Sequence, residues 1–152
     1  MRTSKKISVL GIFFVGVMLL VLSACQSSAS STVAPATGEI GKLVKVDGGS
    51  YTDLSVTGLQ SLLDKKGFLL VNVHIPFEGN LPKTDLSIPY DTIALNLAKL
   101  PGDKNSKIVL YCRSGSMSTI SAKELVKLGY THILNLDGGM DAWAQAGQPI
   151  EK

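Results

Sequence analysis

Cysteine, histidine and tryptophan are scarce in this chain: two, two and one among 152 residues. Two cysteines cannot build the disulfide framework of a small secreted domain, and there is no Cys-x-x-Cys pair for dithiol–disulfide exchange. Two histidines and a single domain cysteine do not make a zinc site, so no metal or cofactor is expected. A glycine-rich phosphate loop ending in lysine is missing, and so is a Ser-His-Asp pattern. An excess of basic charge is missing too. The formal charge is +3, but Arg2, Lys5 and Lys6 are the only charged side chains among the first 24 residues, and without them twelve basic residues face twelve acidic ones. A neutral body offers no basic patch to nucleic acid. The length suits one domain rather than two, and no internal repeat is visible.

What is present begins with a targeting segment. Arg2, Lys5 and Lys6 precede an apolar run without a charge, Ile7 to Leu22, which ends in Leu22-Ser23-Ala24-Cys25. That order of positive head, apolar stretch and small residues is the layout of a secretory signal. A cysteine directly after the small residues resembles the bacterial lipobox. The resemblance implies that residues 1–24 are removed and that Cys25 is diacylated and becomes the new N-terminus. The alternative is an uncleaved membrane anchor, for which the run falls somewhat short of the ~20 residues of a spanning helix. Either reading puts the domain outside the cytoplasm, and two acyl chains suffice for stable attachment to a membrane. Gln26 to Thr37 is rich in Ser, Ala and Thr and carries no charge. It reads as a tether spanning roughly 20 Å, so the folded domain is expected over 41–152.

Within that domain, apolar runs alternate with helical patterns. Leu43 to Val46 suggests a short first strand, followed by punctuation at Gly48-Gly49. Ser55 is a plausible N-cap for a helix through Val56, Leu59, Leu62 and Leu63, weakened by Gly58 and ended by Gly67. Phe68 to Val73 and Lys107 to Tyr111 are compact apolar runs suited to strands buried on both faces. Glu78 to Asp91, with Gly79, Pro82 and Pro89, reads as a loop, and Ile93 to Leu100 as one or two helical turns. A helix is expected from Met117 or Ser118 to Leu128, closed by Gly129. His132 to Leu136 is another strand, and Asp137-Gly138-Gly139 turns the chain into a last short helix holding Trp143. Strands alternating with helices imply an α/β fold with a parallel sheet covered on both faces.

Cys112 lies where a strand ends and a helix is about to begin, the place where ligands collect in open α/β sheets. The residues from Cys112 to Met117 are small or polar enough to curl so that backbone N–H groups point inward as an anion-binding nest. The positive end of the following helix adds to that field, and Arg113 supplies a cation. Such surroundings favour a thiolate. The competing reading is an inert thiol buried at a strand end. With Cys25 lipidated, Cys112 has no intramolecular partner, which favours a reactive thiol.

Ile108-Val109-Leu110-Tyr111-Cys112-Arg113-Ser114-Gly115, followed by Ser116-Met117-Ser118, closely resembles the active-site loop of rhodanese-like domains. Leu134-Asn135-Leu136-Asp137-Gly138-Gly139-Met140-Asp141-Ala142-Trp143 resembles their C-terminal signature. Phe68-Leu69-Leu70-Val71-Asn72-Val73-His74 sits where that family has a strand ending in Asp-Val-Arg. The resemblance covers about Tyr51 to Ile150. It implies a single rhodanese-like domain with a roughly five-stranded parallel sheet and helices on both faces. It also implies sulfur transfer: Cys112 takes the sulfane sulfur of a donor such as thiosulfate and passes it to cyanide or a thiol. Backbone N–H groups of Arg113, Ser114, Gly115, Ser116, Met117 and Ser118 would hold the persulfide; His74 is a further candidate for substrate binding, against a structural hydrogen-bonding role at its strand end. Expected partners are a small sulfur compound and a thiol acceptor, for a monomer held at a membrane.

Several residues depart from the family pattern. Met117 replaces a second loop arginine, which weakens the case for a dianionic donor, and Asn72-Val73-His74 replaces Asp-Val-Arg. A Gly-His-Ile-Pro-Gly segment gives way to Ile75 through Pro82 and Ile88 through Asp91. Glu78 reads as a solvated loop carboxylate, with a place lining the site as the alternative; Trp143 reads as core, Asp137 as a turn residue, and His132 as structural or exposed. These departures keep open a second function, a non-catalytic module that binds or senses sulfane sulfur. A phosphatase is disfavoured because Ser118, not arginine, stands six residues after Cys112, so no guanidinium clamps a transferring phosphoryl group.

Overall fold

Apolar segments of four residues with no polar face are stable only as strands sandwiched between two layers. The computed structural model, which describes residues 40–152, contains three of them side by side. They are β3 (Leu69–Asn72), β5 (Ile108–Tyr111) and β6 (Ile133–Leu136), whose twelve residues are all buried except half-buried Leu69. All three run parallel, with Leu69 opposite Ile108 and Ile108 opposite Ile133. The described residues belong to one unit, Ala36–Lys152. The signal segment, Cys25 and the tether lie outside the described residues.

The sheet has six strands in the order β1-β2-β6-β5-β3-β4. β2 (Gly49–Leu54) and the two-residue β4 (Leu86–Ser87) join β3, β5 and β6 to make five parallel strands, as the resemblance implies. β1 (Gly41–Val46) is an antiparallel addition, hairpinned onto β2 with Val46 opposite Gly49. The two-residue connection is Asp47-Gly48, with Gly48 at φ +87°. Asp-Gly is a strong hairpin signal, so Gly48-Gly49 is less an end than a reversal. The loop expected over Glu78 to Asp91 is also more ordered: β4 lies within it, and Ile88 N–H donates to Asn72 O at 2.9 Å. Two residues are too few to show a strand period.

Helices cover both faces. α2 (Ser116–Lys127) and a 3₁₀ segment (Tyr90–Lys99) pack on one side, where Val71, Ile108, Leu110, Cys112 and Ile133 meet Ile93, Ala122 and Leu125. α1 (Val56–Asp64) and α3 (Gly139–Gln145) cover the other, where Leu70, Val109, Tyr111 and Leu134 meet Leu59, Leu63 and Trp143. The alternation of side chains along a strand divides neighbours such as Tyr111 and Cys112 between the two layers. Ser55 caps α1 by accepting from Gly58 N at 3.0 Å. Gly58 has a packing reason for its helix cost: a Cβ there would stand 2.2 Å from Ile40 O. Trp143 is buried, and its indole N–H donates to Pro149 O at 3.0 Å.

Candidate active site

β5 delivers Cys112 to the C-terminal edge of the sheet, on the face covered by α2. Its residue exposure is 1%. The thiol is nonetheless not in apolar surroundings alone. Its Sγ accepts from Gly115 N at 3.1 Å and lies 3.5 Å from Ser118 Oγ. The Ser118 hydroxyl also donates to Gly115 O at 3.0 Å, so its single hydrogen is shared between the sulfur and the carbonyl. Gly115 turns the loop back on itself in the left-handed region, at φ +91°. α2 starts immediately afterwards with no side-chain cap. Its first N–H groups, those of Ser116, Met117 and Ser118, have no partner within the helix. The sulfur therefore lies against a reversed loop at the positive end of a twelve-residue helix.

The loop is fixed from behind by the first turn of α3. Met140 N–H donates to Cys112 O and Asp141 N–H to Arg113 O, both at 2.9 Å. Gly139 makes this approach possible. It sits at φ +56°, and a Cβ on it would be 2.2 Å from Cys112 O. A Cβ on Gly115 would be 3.3 Å from Gly138 N, so the two glycine turns interlock. The Gly138-Gly139 doublet, read from sequence as a simple corner, is a clamp on the cysteine loop. Asp137 does turn the chain there, and its N–H donates to Leu54 O.

The expected site residues divide by exposure. Gly115 and Ser118 are buried, Met117 is half-buried against the core, and Arg113, Ser114 and Ser116 face solvent. The hydroxyls of Ser114 and Ser116 are 3.5 Å apart. His74 is buried just beyond β3, and its Nε2 lies 3.2 Å from Glu78 Oε2. That is ion-pair distance without hydrogen-bond geometry, because neither ring nitrogen has a hydrogen-bond partner. Glu78 is not a bystander in solvent. Its other oxygen accepts from Arg113 Nη1 at 3.2 Å, which links the His74 segment to the cysteine loop. Thirty-five residues separate Glu78 from Arg113, and no local pattern signals a contact at that range. His132 is exposed on the approach to β6.

Asn72 and Tyr111 anchor the segment from Gly79 to Thr84. Asn72 Nδ2 donates to Gly79 O at 2.9 Å and to Asn80 Oδ1 at 3.0 Å, while its Oδ1 accepts from His74 N at 2.9 Å. Tyr111 OH accepts from Leu81 N at 3.0 Å, lies 2.7 Å from Thr84 Oγ1 and donates to Asn80 Oδ1 at 3.2 Å. Burial pushes the Tyr111 hydroxyl above its ordinary 10.0, opposed in part by the hydrogen bonds from Thr84 and Leu81. An amide at Asn72 suits a position that must donate twice and accept once, which a carboxylate cannot do. A surface cavity of about 210 Å³ beside Gly48, Val126 and Tyr130 contains none of these residues.

A cysteine hydrogen-bonded inside a strand-to-helix loop, clamped by a glycine pair, defines an α/β domain with a candidate nucleophile at its sheet edge. Residues 60–146 match the family model described as Rhodanese-like domain, and the chain belongs to that family. A protein named Sulfurtransferase from Allochromatium vinosum is 38% identical over 94 residues, a match covering 60% of this chain and 85% of the relative. Thiosulfate sulfurtransferase GlpE of Vibrio cholerae is 23% identical over 101 residues, covering 66% of this chain and 95% of the relative. Among solved structures, the crystal structure of a rhodanese-like domain protein from Staphylococcus aureus is 29% identical with a TM-score of 0.54, covering 66% of this chain and 98% of that one.

Proposed function

We propose that the protein is a rhodanese-type sulfurtransferase in which Cys112 carries sulfane sulfur as a persulfide. The observation that carries this reading is the Gly115 N–H donated to Cys112 Sγ at 3.1 Å. A backbone donor aimed at sulfur, beside an uncapped helix start, supplies a hydrogen bond to the reacting atom where an anionic ligand is favoured. In the first half-reaction the thiolate attacks the outer sulfur of a donor. A Cys112 S–S bond forms as the donor's own bond to that sulfur breaks; thiosulfate leaves as sulfite and takes the electron pair. In the second, a thiolate or cyanide attacks the outer persulfide sulfur, and the Cys112 thiolate departs. The nucleophile thus splits one transfer into two displacements. N–H groups of residues 113–118 would hold the terminal sulfur anion, as donors do at other anionic intermediates. The sulfurtransferase names of the Allochromatium and Vibrio relatives support this reading.

From the signal-like order of residues 2–25 we further propose that the domain lies outside the cytoplasm, tethered through a diacylated Cys25 to a bacterial membrane, and works as a monomer on a small sulfur compound and a thiol acceptor. The test is thiosulfate-to-cyanide turnover by the parent and by Cys112→Ser. Thiocyanate from the parent alone is expected; equal rates from both would refute a Cys112 persulfide route. A second reading, a module that holds sulfane sulfur without turnover, is favoured by one observation: the sole cation of the loop is already engaged by Glu78. It predicts a persulfide on Cys112 that is not discharged to cyanide or thiols.

A further inference from the structure

We infer that Glu78 sets the charge class of the sulfur donor. It disfavours the thiosulfate dianion and leaves the site to a singly charged donor with an organic substituent, a class for which an organic thiosulfonate is the test compound. This rests on the sulfur-transfer reading above. Arg113 is the one cationic side chain between Cys112 and Ser118. Its Nη1 is 3.2 Å from Glu78 Oε1, and the second Glu78 oxygen is 3.2 Å from His74 Nε2. Arg113 and Glu78 are 56% and 39% exposed, so the pair adds little to the stability of the fold. Its consequence is local: opposite charges cancel where an incoming anion needs a cation. A dianion that reaches Arg113 must displace the carboxylate or lie against it, and like charges that close repel. A donor with one charge meets less of that repulsion.

The neighbouring surface suits an organic group. Phe77, next to Glu78 in the chain, is 59% exposed, and Met117 occupies the loop without charge. The chemistry balances for either donor. With benzenethiosulfonate, the Cys112 thiolate takes the outer sulfur, and benzenesulfinate leaves with the electron pair of the broken sulfur–sulfur bond. With thiosulfate, sulfite leaves in the same way, and cyanide then accepts the sulfur as thiocyanate in both cases.

The experiment uses the full chain in detergent micelles at fixed pH and low salt, with cyanide as acceptor, and compares kcat/KM for thiosulfate and benzenethiosulfonate. The parent is expected to favour benzenethiosulfonate by about tenfold or more. Glu78→Gln should raise the thiosulfate-to-benzenethiosulfonate ratio by about tenfold, mainly through a lower KM for thiosulfate. That KM should rise again with added salt, since the gained attraction is screened. Glu78→Ala should shift the ratio the same way. The double variant Glu78→Gln/Arg113→Gln should return it toward the parent's value, because the effect runs through the guanidinium. A ratio unmoved by Glu78→Gln, or moved equally in the double variant, overturns the inference while leaving sulfur transfer standing. No transfer from either donor in the parent would remove both.

Discussion

At the scale of single residues, the site depends on atoms that are small or missing. Gly139 has no Cβ because Cys112 O occupies that space, and its backbone is left-handed. Gly139→Ala should therefore cost about 2–4 kcal/mol in denaturant unfolding, combining strain and clash. It should also slow sulfur transfer by displacing the loop. Ser118→Ala is a gentler change: it removes the one hydroxyl hydrogen shared between Sγ and Gly115 O. At roughly 1 kcal/mol per hydrogen bond, sulfur loading should slow about fivefold, and the melting temperature should fall by about 3–6 °C. Cys112 and its loop were legible in the sequence because a buried strand, a cysteine and a glycine-bearing turn are contiguous there. Glu78 was not, because its role depends on a long-range contact with Arg113 that no local spacing encodes.

At the scale of elements, continuous apolar runs made β3, β5 and β6 readable, since burial on both faces leaves no alternation to misread. β2 escaped because Ser50-Tyr51-Thr52-Asp53 is largely polar, and it becomes a strand by pairing with β1 and β6. The segment from Gly79 to Ser87 looked like a loop because its order comes from tertiary hydrogen bonds centred on Asn80 and Tyr111. Tyr111→Phe should leave Leu81 N–H without its acceptor and cost about 1–3 kcal/mol. A pH effect follows from the same hydroxyl. Its folded value lies above 10.0, so at high pH the unfolded chain gives up that proton first. The folded state then binds more protons, and stability present below pH 10 is lost as pH rises through the folded value. Urea unfolding across that range should show a shallower loss in Tyr111→Phe than in the parent. Some slope should persist, because burial raises Tyr51 as well.

At the scale of the whole molecule, a neutral domain would be tied to a membrane through Cys25 rather than through surface charge. Cys25→Ser should move the protein from the membrane fraction to the soluble fraction, whereas removal of surface lysines should not. Among the described residues no helix is long and apolar enough to cross a membrane. The parallel sheet was legible from the alternation of strands and helices; β1 was legible at Leu43 to Val46, but its antiparallel pairing was signalled only by Asp47-Gly48.

In the proposed sulfur-transfer route Cys112 becomes a persulfide that is then discharged. This route is tested most directly by intact-mass analysis of the parent and Cys112→Ser after exposure to thiosulfate or benzenethiosulfonate, before and after addition of cyanide. A gain of one sulfur atom is expected on the parent only, lost again as thiocyanate appears. A parent that gains no sulfur from either donor, or a Cys112→Ser chain that gains it equally, would contradict that route.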